Sequence, residues 1–189
     1  MELNLESYIL KINKFLSNDL CKKILFELKK SDWKQHLFYN QQTNEYKPVS
    51  GEQELETAYD EKMKYNDILM EKIWKAIETY MCKINFHWYS SWNGYTSLKY
   101  NKYSKNKKMA EHCDHIHDIF PGNPRGIPIL SIVGLLNDNY EGGEFVMFKN
   151  KKINLKTGDL IIFPSIFLYP HKVTEVTKGT RYSYVSWVY

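Results

Sequence analysis

From residue 94 to the last residue given, the chain is a succession of short β-type runs, and this pattern limits its fold more than any other feature. The runs fall at 97–103, 109–114, 129–137, 144–149, 152–155, 159–163, 171–176 and 181–188. Turn chemistry separates them: Trp92-Asn93-Gly94, the stretch 138–143 with its Gly142-Gly143 pair, and Lys156-Thr157-Gly158-Asp159, where glycine supplies the positive φ that tight turns need. Many short strands at close spacing build a sandwich or a barrel.

The first half reads differently. Residues 8–15 suggest an opening strand. Ser17, Asn18 and Asp19 can cap a helix over 20–30, whose apolar residues at 20, 24, 25 and 28 keep helical spacing. Residues 31–51 are polar and aromatic without a clean period and predict short strands and loop. The strongest helical signal lies in 54–86, where Leu69, Ile73, Trp74, Ile77 and Met81 share one face. The expected architecture is an all-β core with α additions in a single domain over 1–189. Residues 1–95 would form supporting helices and strands, and 96–189 the core.

Composition narrows the function classes. Aromatic residues make up 15% of the chain and 15 of them are tyrosine, which suits β-core rims and a few groove positions. The net charge of +4 is not gathered into a basic stripe. The densest run, with lysines at 102, 105, 107 and 108, reads as a solvated loop, so nucleic acid is not the expected partner. Three cysteines without a CxxC indicate neither a disulfide framework nor a cysteine zinc site, and reduced thiols suit a cytoplasmic location. Glu2 and Glu6 flank no long apolar run, and nothing approaches the roughly 20 apolar residues of a membrane span.

The chemistry gathers at His112-Cys113-Asp114. Two residues apart on a strand, His112 and Asp114 leave the same face and supply two-thirds of the two-histidine, one-carboxylate set that binds non-heme Fe(II). His115 and His117 leave a second chelating pair open. His171 is the only histidine in the last 70 residues, and Arg181 follows ten residues later.

The order of these residues resembles that of the Fe(II)- and 2-oxoglutarate-dependent oxygenases, closest to the prolyl 4-hydroxylase-like branch. Tyr103 precedes His112-Cys113-Asp114 by nine residues, and 130–137 (LSIVGLLN) looks like the family's long core strand. Residues 140–145 (YEGGEF) look like its glycine turn, and 156–164 (KTGDLIIFP) like the strand leading to its distal histidine. Residues 171–187 match the ending H-x-V-x-x-V…G-x-R-Y-S…W. This resemblance covers about half the chain and implies a double-stranded β-helix, or jelly roll, supported by N-terminal helices. It implies His112, Asp114 and His171 as iron ligands, which leaves His115 and His117 beside the site. It implies Arg181 as the clamp on the distal carboxylate of 2-oxoglutarate, helped by Ser183 and Tyr103, with Trp187 near the metal. Leu135 stands where some relatives carry a cosubstrate-binding tyrosine, and Met109 where many carry an aromatic. Fe(II), 2-oxoglutarate and O2 would be required, with ascorbate as an optional reductant.

The implied reaction is hydroxylation of an unactivated C–H, with a prolyl residue in a protein or peptide as the favoured substrate. Residues 35–54 and 116–128 are candidate lids, and Phe38, Tyr39, Tyr46, Trp88 and Trp92 could line a groove for an extended peptide. The competing readings are the same chemistry on a small molecule, a free amino acid or an alkylated nucleobase, a non-catalytic jelly-roll binding module, and a cupin-like metal protein that leaves Arg181 unexplained.

Overall fold

A computed structural model describes residues 4–40, 45–47, 54–59, 61–85, 94–114 and 127–189. After a 3-10 turn at Leu5–Tyr8, the first elements are β1 (Leu10–Ile12), helix α1 (Asn18–Leu28), β2 (Lys34–Gln35), β3 (Phe38–Asn40) and β4 (Glu45–Lys47). Next come β5 (Glu56–Tyr59), helix α2 (Asn66–Ile84), β6 (Lys99–Tyr103), β7 (Met109–His112) and β8 (Leu130–Leu135). The last are β9 (Glu141–Gly142), β10 (Phe145–Met147), β11 (Lys151–Ile153), β12 (Leu160–Pro164), β13 (His171–Val173), β14 (Val176–Lys178) and β15 (Arg181–Val188).

These strands form a seven-stranded antiparallel sheet, β1-β12-β8-β15-β6-β5-β2, facing a four-stranded sheet, β11-β10-β13-β7. Strands β9 and β14 pair separately, as do β3 and β4. The arrangement is a jelly-roll core with helices behind the larger sheet. That layering explains why 160–163 is continuously apolar instead of alternating. Leu160 and Ile162 point to the helices and pack with Ile24, Leu28, Leu69, Ile73 and Ile77. Ile161 and Phe163 point the other way, between the sheets, with Phe145, Val173 and Trp187. A strand covered on both faces has no polar side. No described helix is long and apolar enough to cross a membrane.

Several expected boundaries move. Helix α1 begins where Ser17 caps it, the hydroxyl accepting the amide of Leu20 at 3.2 Å. The expected helix over 54–86 is shorter, because α2 starts at Asn66 and residues 56–59 are strand β5, paired to β6. Every residue of the predicted stripe lies at 69 or beyond, so the helical period carried no information about 54–65. Of the expected stripe Leu69, Ile73 and Ile77 are buried, joined by Ala76 and Tyr80, whereas Trp74 is 39% exposed and stacks on Tyr95. The run 144–149 stops at Met147 because Phe148 and Lys149 adopt positive φ. The run 171–176 divides into β13 and β14. Trp88, Trp92, His115 and His117 lie outside the described residues, as do the side chains of Phe38, Tyr39 and Tyr46, half of the candidate lid 35–54 and most of the candidate lid 116–128.

Two close approaches fix the sheet against its surroundings. A Cβ on Gly134 would sit 2.0 Å from the Tyr184 ring, so only glycine lets that tyrosine cross β8. At the 156–159 turn Gly158 has φ +83° and lies against the carbonyl of Leu16. The next residue, Asp159, ties the N-terminal strand to the core. Burial alone would raise its carboxyl, but the amides of Lys14 (2.9 Å) and Lys156 (3.0 Å) and the Lys11 ammonium (3.0 Å) hold it below its ordinary value. Asp159→Asn is therefore expected to lower unfolding stability by about 2 kcal/mol at neutral pH. A depressed carboxyl stabilises fully above the unfolded value of about 3.9 and loses that contribution as pH falls through the folded value. Urea denaturation should show the gap between wild type and variant narrowing from pH 7 to pH 3.

Candidate metal centre

His112 ends β7 and His171 opens β13, and the antiparallel register sets them directly opposite each other. Asp114 follows two residues after His112, buried beneath both rings. One ligand atom from each of the three lies within 4.8 Å of the others. The Nε2 of His112 is 3.3 Å from Asp114 Oδ1, and the Nε2 of His171 is 3.8 Å from Asp114 Oδ2.

The neighbouring backbone orients both rings. Nδ1 of His112 is 2.8 Å from the carbonyl of Ala110, and Nδ1 of His171 is 3.1 Å from the carbonyl of Tyr169. A carbonyl can only accept, so each Nδ1 carries a proton, which leaves each Nε2 as the atom that would meet a metal. Ser131 donates to Asp114 Oδ2 at 2.6 Å and is itself 2.7 Å from Ser165, which fixes the carboxylate plane. Phe145 stacks on His171 and Phe163 meets it edge-on.

Burial pushes His171 down to about 4. Burial would also lower His112, but the nearby Asp114 outweighs it and the value rises. For Asp114 burial acts to raise the carboxyl, yet the two imidazoles and the Ser131 hydroxyl hold it far below the carboxylate range. Two imidazoles and one ionised carboxylate converging on one point are a donor set that suits Fe(II).

On the facing sheet, Arg181 opens β15 and is 1% exposed. Its Nη1 donates to Ser183 at 2.9 Å, and its guanidinium carbon lies 4.8 Å from the centre of the Tyr103 ring. Register places Tyr103 opposite Arg181, and Asn101 and Leu135 on either side of Ser183, so all of these side chains leave the same face. Burial raises the Tyr103 hydroxyl to about 12, which keeps it neutral. Two buried atoms here have no hydrogen-bond partner, Nε of Arg181 and Oδ1 of Asn101. Among the described residues no carboxylate pairs with Arg181. A buried guanidinium without a counter-ion carries a desolvation cost of several kcal/mol, which a bound carboxylate would offset. The pocket therefore fits a dicarboxylate such as 2-oxoglutarate.

Trp187 lies further along the same face of β15, beneath Lys99, whose ammonium sits 4.8 Å from the ring centre. Burial lowers that ammonium to about 8, with Asp114 acting against the shift. Five residues that the sequence reading did not single out also border the centre. Asn101 and Lys99 were detectable in principle, being two and four residues before Tyr103 on an alternating strand. Ser131 and Glu54 had no sequence signal; Glu54 is fully buried and accepts the Ala110 amide at 3.3 Å. His36 had none either. Burial, with the charges of Lys99 and His112, pushes it down to about 3.

Comparison with known proteins adds findings of three kinds, a family match, curated relatives and solved structures. The family described as the 2OG-Fe(II) oxygenase superfamily matches residues 98–189. A PKHD-type hydroxylase of Alteromonas mediterranea is 33% identical over 95 residues, 47% of this chain and 41% of the relative. The PKHD-type hydroxylase YbiX of Escherichia coli is 34% identical over 94 residues, 47% of this chain and 41% of the relative. The matched region thus spans about two fifths of the length of these curated relatives. Among solved structures, a Trichoplax adhaerens prolyl hydroxylase in complex with a hypoxia inducible factor peptide fragment superposes with a TM-score of 0.73 at 16% identity, covering 97% of this chain and 84% of that one. The viral collagen prolyl hydroxylase of Paramecium Bursaria Chlorella virus-1, as its 2OG complex, gives 0.64 at 19% identity, covering 96% and 94%. At these identities the likeness is one of fold.

Proposed function

Because residues 98–189 belong to the 2OG-Fe(II) oxygenase superfamily and fold as its prolyl hydroxylases do, we propose that this chain hydroxylates an unactivated C–H of a prolyl residue in a protein or peptide. Fe(II) and 2-oxoglutarate are the cofactor and cosubstrate of that chemistry. When bound, they supply an oxidant made from O2: one oxygen enters the substrate as hydroxyl, the other enters succinate, and CO2 is released.

The residues of this chain do the binding and orienting. His112, Asp114 and His171 hold the metal, their lone pairs aligned by the Ala110 and Tyr169 carbonyls and by Ser131. Arg181 receives the distal carboxylate of the cosubstrate through its fork of donors. Ser183 accepts from that fork and keeps its own O–H to donate, filling the place left by Leu135 directly opposite. Tyr103 closes the pocket as a neutral donor, and Asn101 adds its amide. The apolar wall of Phe145, Phe163 and Trp187 excludes water from the reacting centre. Of the first 95 residues, helices α1 and α2 back the sheet that carries Arg181 and strands β1, β2 and β5 extend it.

The observation that carries this reading is Arg181, buried, without a carboxylate partner among the described residues, in a chain that also assembles the His-Asp-His set. The test is anaerobic addition of Fe(II) and then 2-oxoglutarate. A metal-to-ligand charge-transfer band should form only with both present, and admission of O2 should yield succinate. Absence of the band at saturating concentrations overturns the reading. Mass spectrometry of proline-containing peptides for one added oxygen tests the substrate. Formaldehyde release would instead favour a demethylated substrate.

A further inference from the structure

We propose that Lys99 anchors a carboxylate of the molecule being hydroxylated, so that the substrate is acidic close to the carbon that reacts, as a peptide chain end or a free amino acid is. This rests on the oxygenase reading above and specifies its substrate.

Position carries the first part of the argument. Lys99 alternates with Asn101 and Tyr103 along β6, which puts all three on the face that looks toward the metal centre. Its register partner on β15 is Val185, and its ammonium reaches past that residue to lie over Trp187. The cation therefore leans away from Arg181, which sits six residues from Trp187, about 20 Å along the strand. The two cations serve opposite ends of the cavity face. Arg181, at the closed end, takes the distal carboxylate of the cosubstrate. On its other side Lys99 is paired with Tyr59 of β5, which is 67% exposed, so its end of the face opens to solvent where an incoming molecule would pass.

Charge carries the second part. Other part-buried or surface lysines have carboxylate partners: Lys11 with Asp159, Lys102 with Glu56 and Lys152 with Glu144. Among the described residues Lys99 has no carboxylate within 4 Å. The acidic group whose field reaches it is Asp114, already committed to His112, His171 and Ser131. Among the described residues, the other ionisable groups whose fields meet Lys99, His36 and His112, are imidazoles and offer no negative charge. A half-buried ammonium held over an aromatic ring beside a metal site, with no anion of its own, is an ordered receptor for one. A charge-assisted contact of this type distinguishes a carboxylate from its amide by about ten- to a hundredfold in affinity.

Protein loaded anaerobically with Fe(II) and 2-oxoglutarate is titrated with N-acetyl-L-proline and, separately, with N-acetyl-L-prolinamide, following the charge-transfer band and the heat of binding. The acid should bind about ten- to a hundredfold more tightly than the amide. Lys99→Met should bring the two together, and Lys99→Arg should keep the preference. Equal affinities, no detectable binding of either probe, or a preference that survives in Lys99→Met overturns the proposal. A weakened 2-oxoglutarate affinity in Lys99→Met with the acid preference intact also overturns it, because the carboxylate at Lys99 would then be the cosubstrate's. Failure of the charge-transfer band in the wild type would instead remove the oxygenase reading and this inference with it. A normal band with no acid preference removes this inference alone.

Discussion

Asp114→Ala should abolish succinate formation from 2-oxoglutarate and weaken Fe(II) binding by well over a hundredfold. The size of the effect follows from the position of this carboxylate, the one negative charge in the candidate ligand set found among the described residues. It faces both imidazoles and is held in plane by Ser131. Removing it leaves two neutral rings, which cannot compensate a divalent cation. Ser131→Ala should be milder, about ten- to a hundredfold, because it loosens the carboxylate without deleting it. Anaerobic Fe(II) titration together with succinate quantification separates the two. Succinate formation by Asp114→Ala within tenfold of wild type would remove the carboxylate from the ligand set.

Arg181→Lys should raise the 2-oxoglutarate concentration needed for half-maximal turnover by about ten- to a hundredfold while leaving Fe(II) affinity nearly unchanged. Lysine keeps the charge but loses the planar fork, the contact to Ser183 and the packing against Tyr103. Ligand-induced thermal stabilisation provides an independent readout. 2-Oxoglutarate should raise the unfolding midpoint of the metal-loaded wild type and raise that of the variant only at correspondingly higher concentration. An unaltered 2-oxoglutarate requirement would place the distal carboxylate elsewhere.

The parts of the site that could be read from the sequence were those fixed by strand alternation. Arg181 and Ser183, two apart, had to share a face once their segment was read as a strand, whereas the expected run 109–114 ends as a strand at His112 and Asp114 reaches the centre from two residues past its end. Tyr182 and Tyr184 then had to point to the helices, and they pack there. Pairing between distant strands left no such trace. Nothing in the local pattern says that Ser131 lies under Asp114, or that His36, from the first fifth of the chain, stands within the field of His112. The same limit explains β5. Its residues 56–59 are a strand because β6 offers them a ladder, and a window-based reading attached them to the strongly periodic helix that follows. Trp74 shows the converse error, since a large apolar side chain at a plausible angle was counted as core although it lies at the half-exposed edge of α2.

The strands that widen the larger sheet beyond β6 have a consequence for how such a chain can change. His112, Asp114, His171, Arg181 and Tyr103 all fall within 98–189, whereas β2 and β5, which extend the wall beside Lys99, come from residues 34–59. The reacting groups and part of the wall beside Lys99 thus come from separate stretches of polypeptide that meet along one hydrogen-bonded seam. Substitutions at Thr57 or Tyr59 can reshape what enters while the ladder between β5 and β6 keeps the reacting groups in register. A graft of residues 34–59 between relatives would then alter the wall beside Lys99 while Lys99 itself and the reacting groups stay in place.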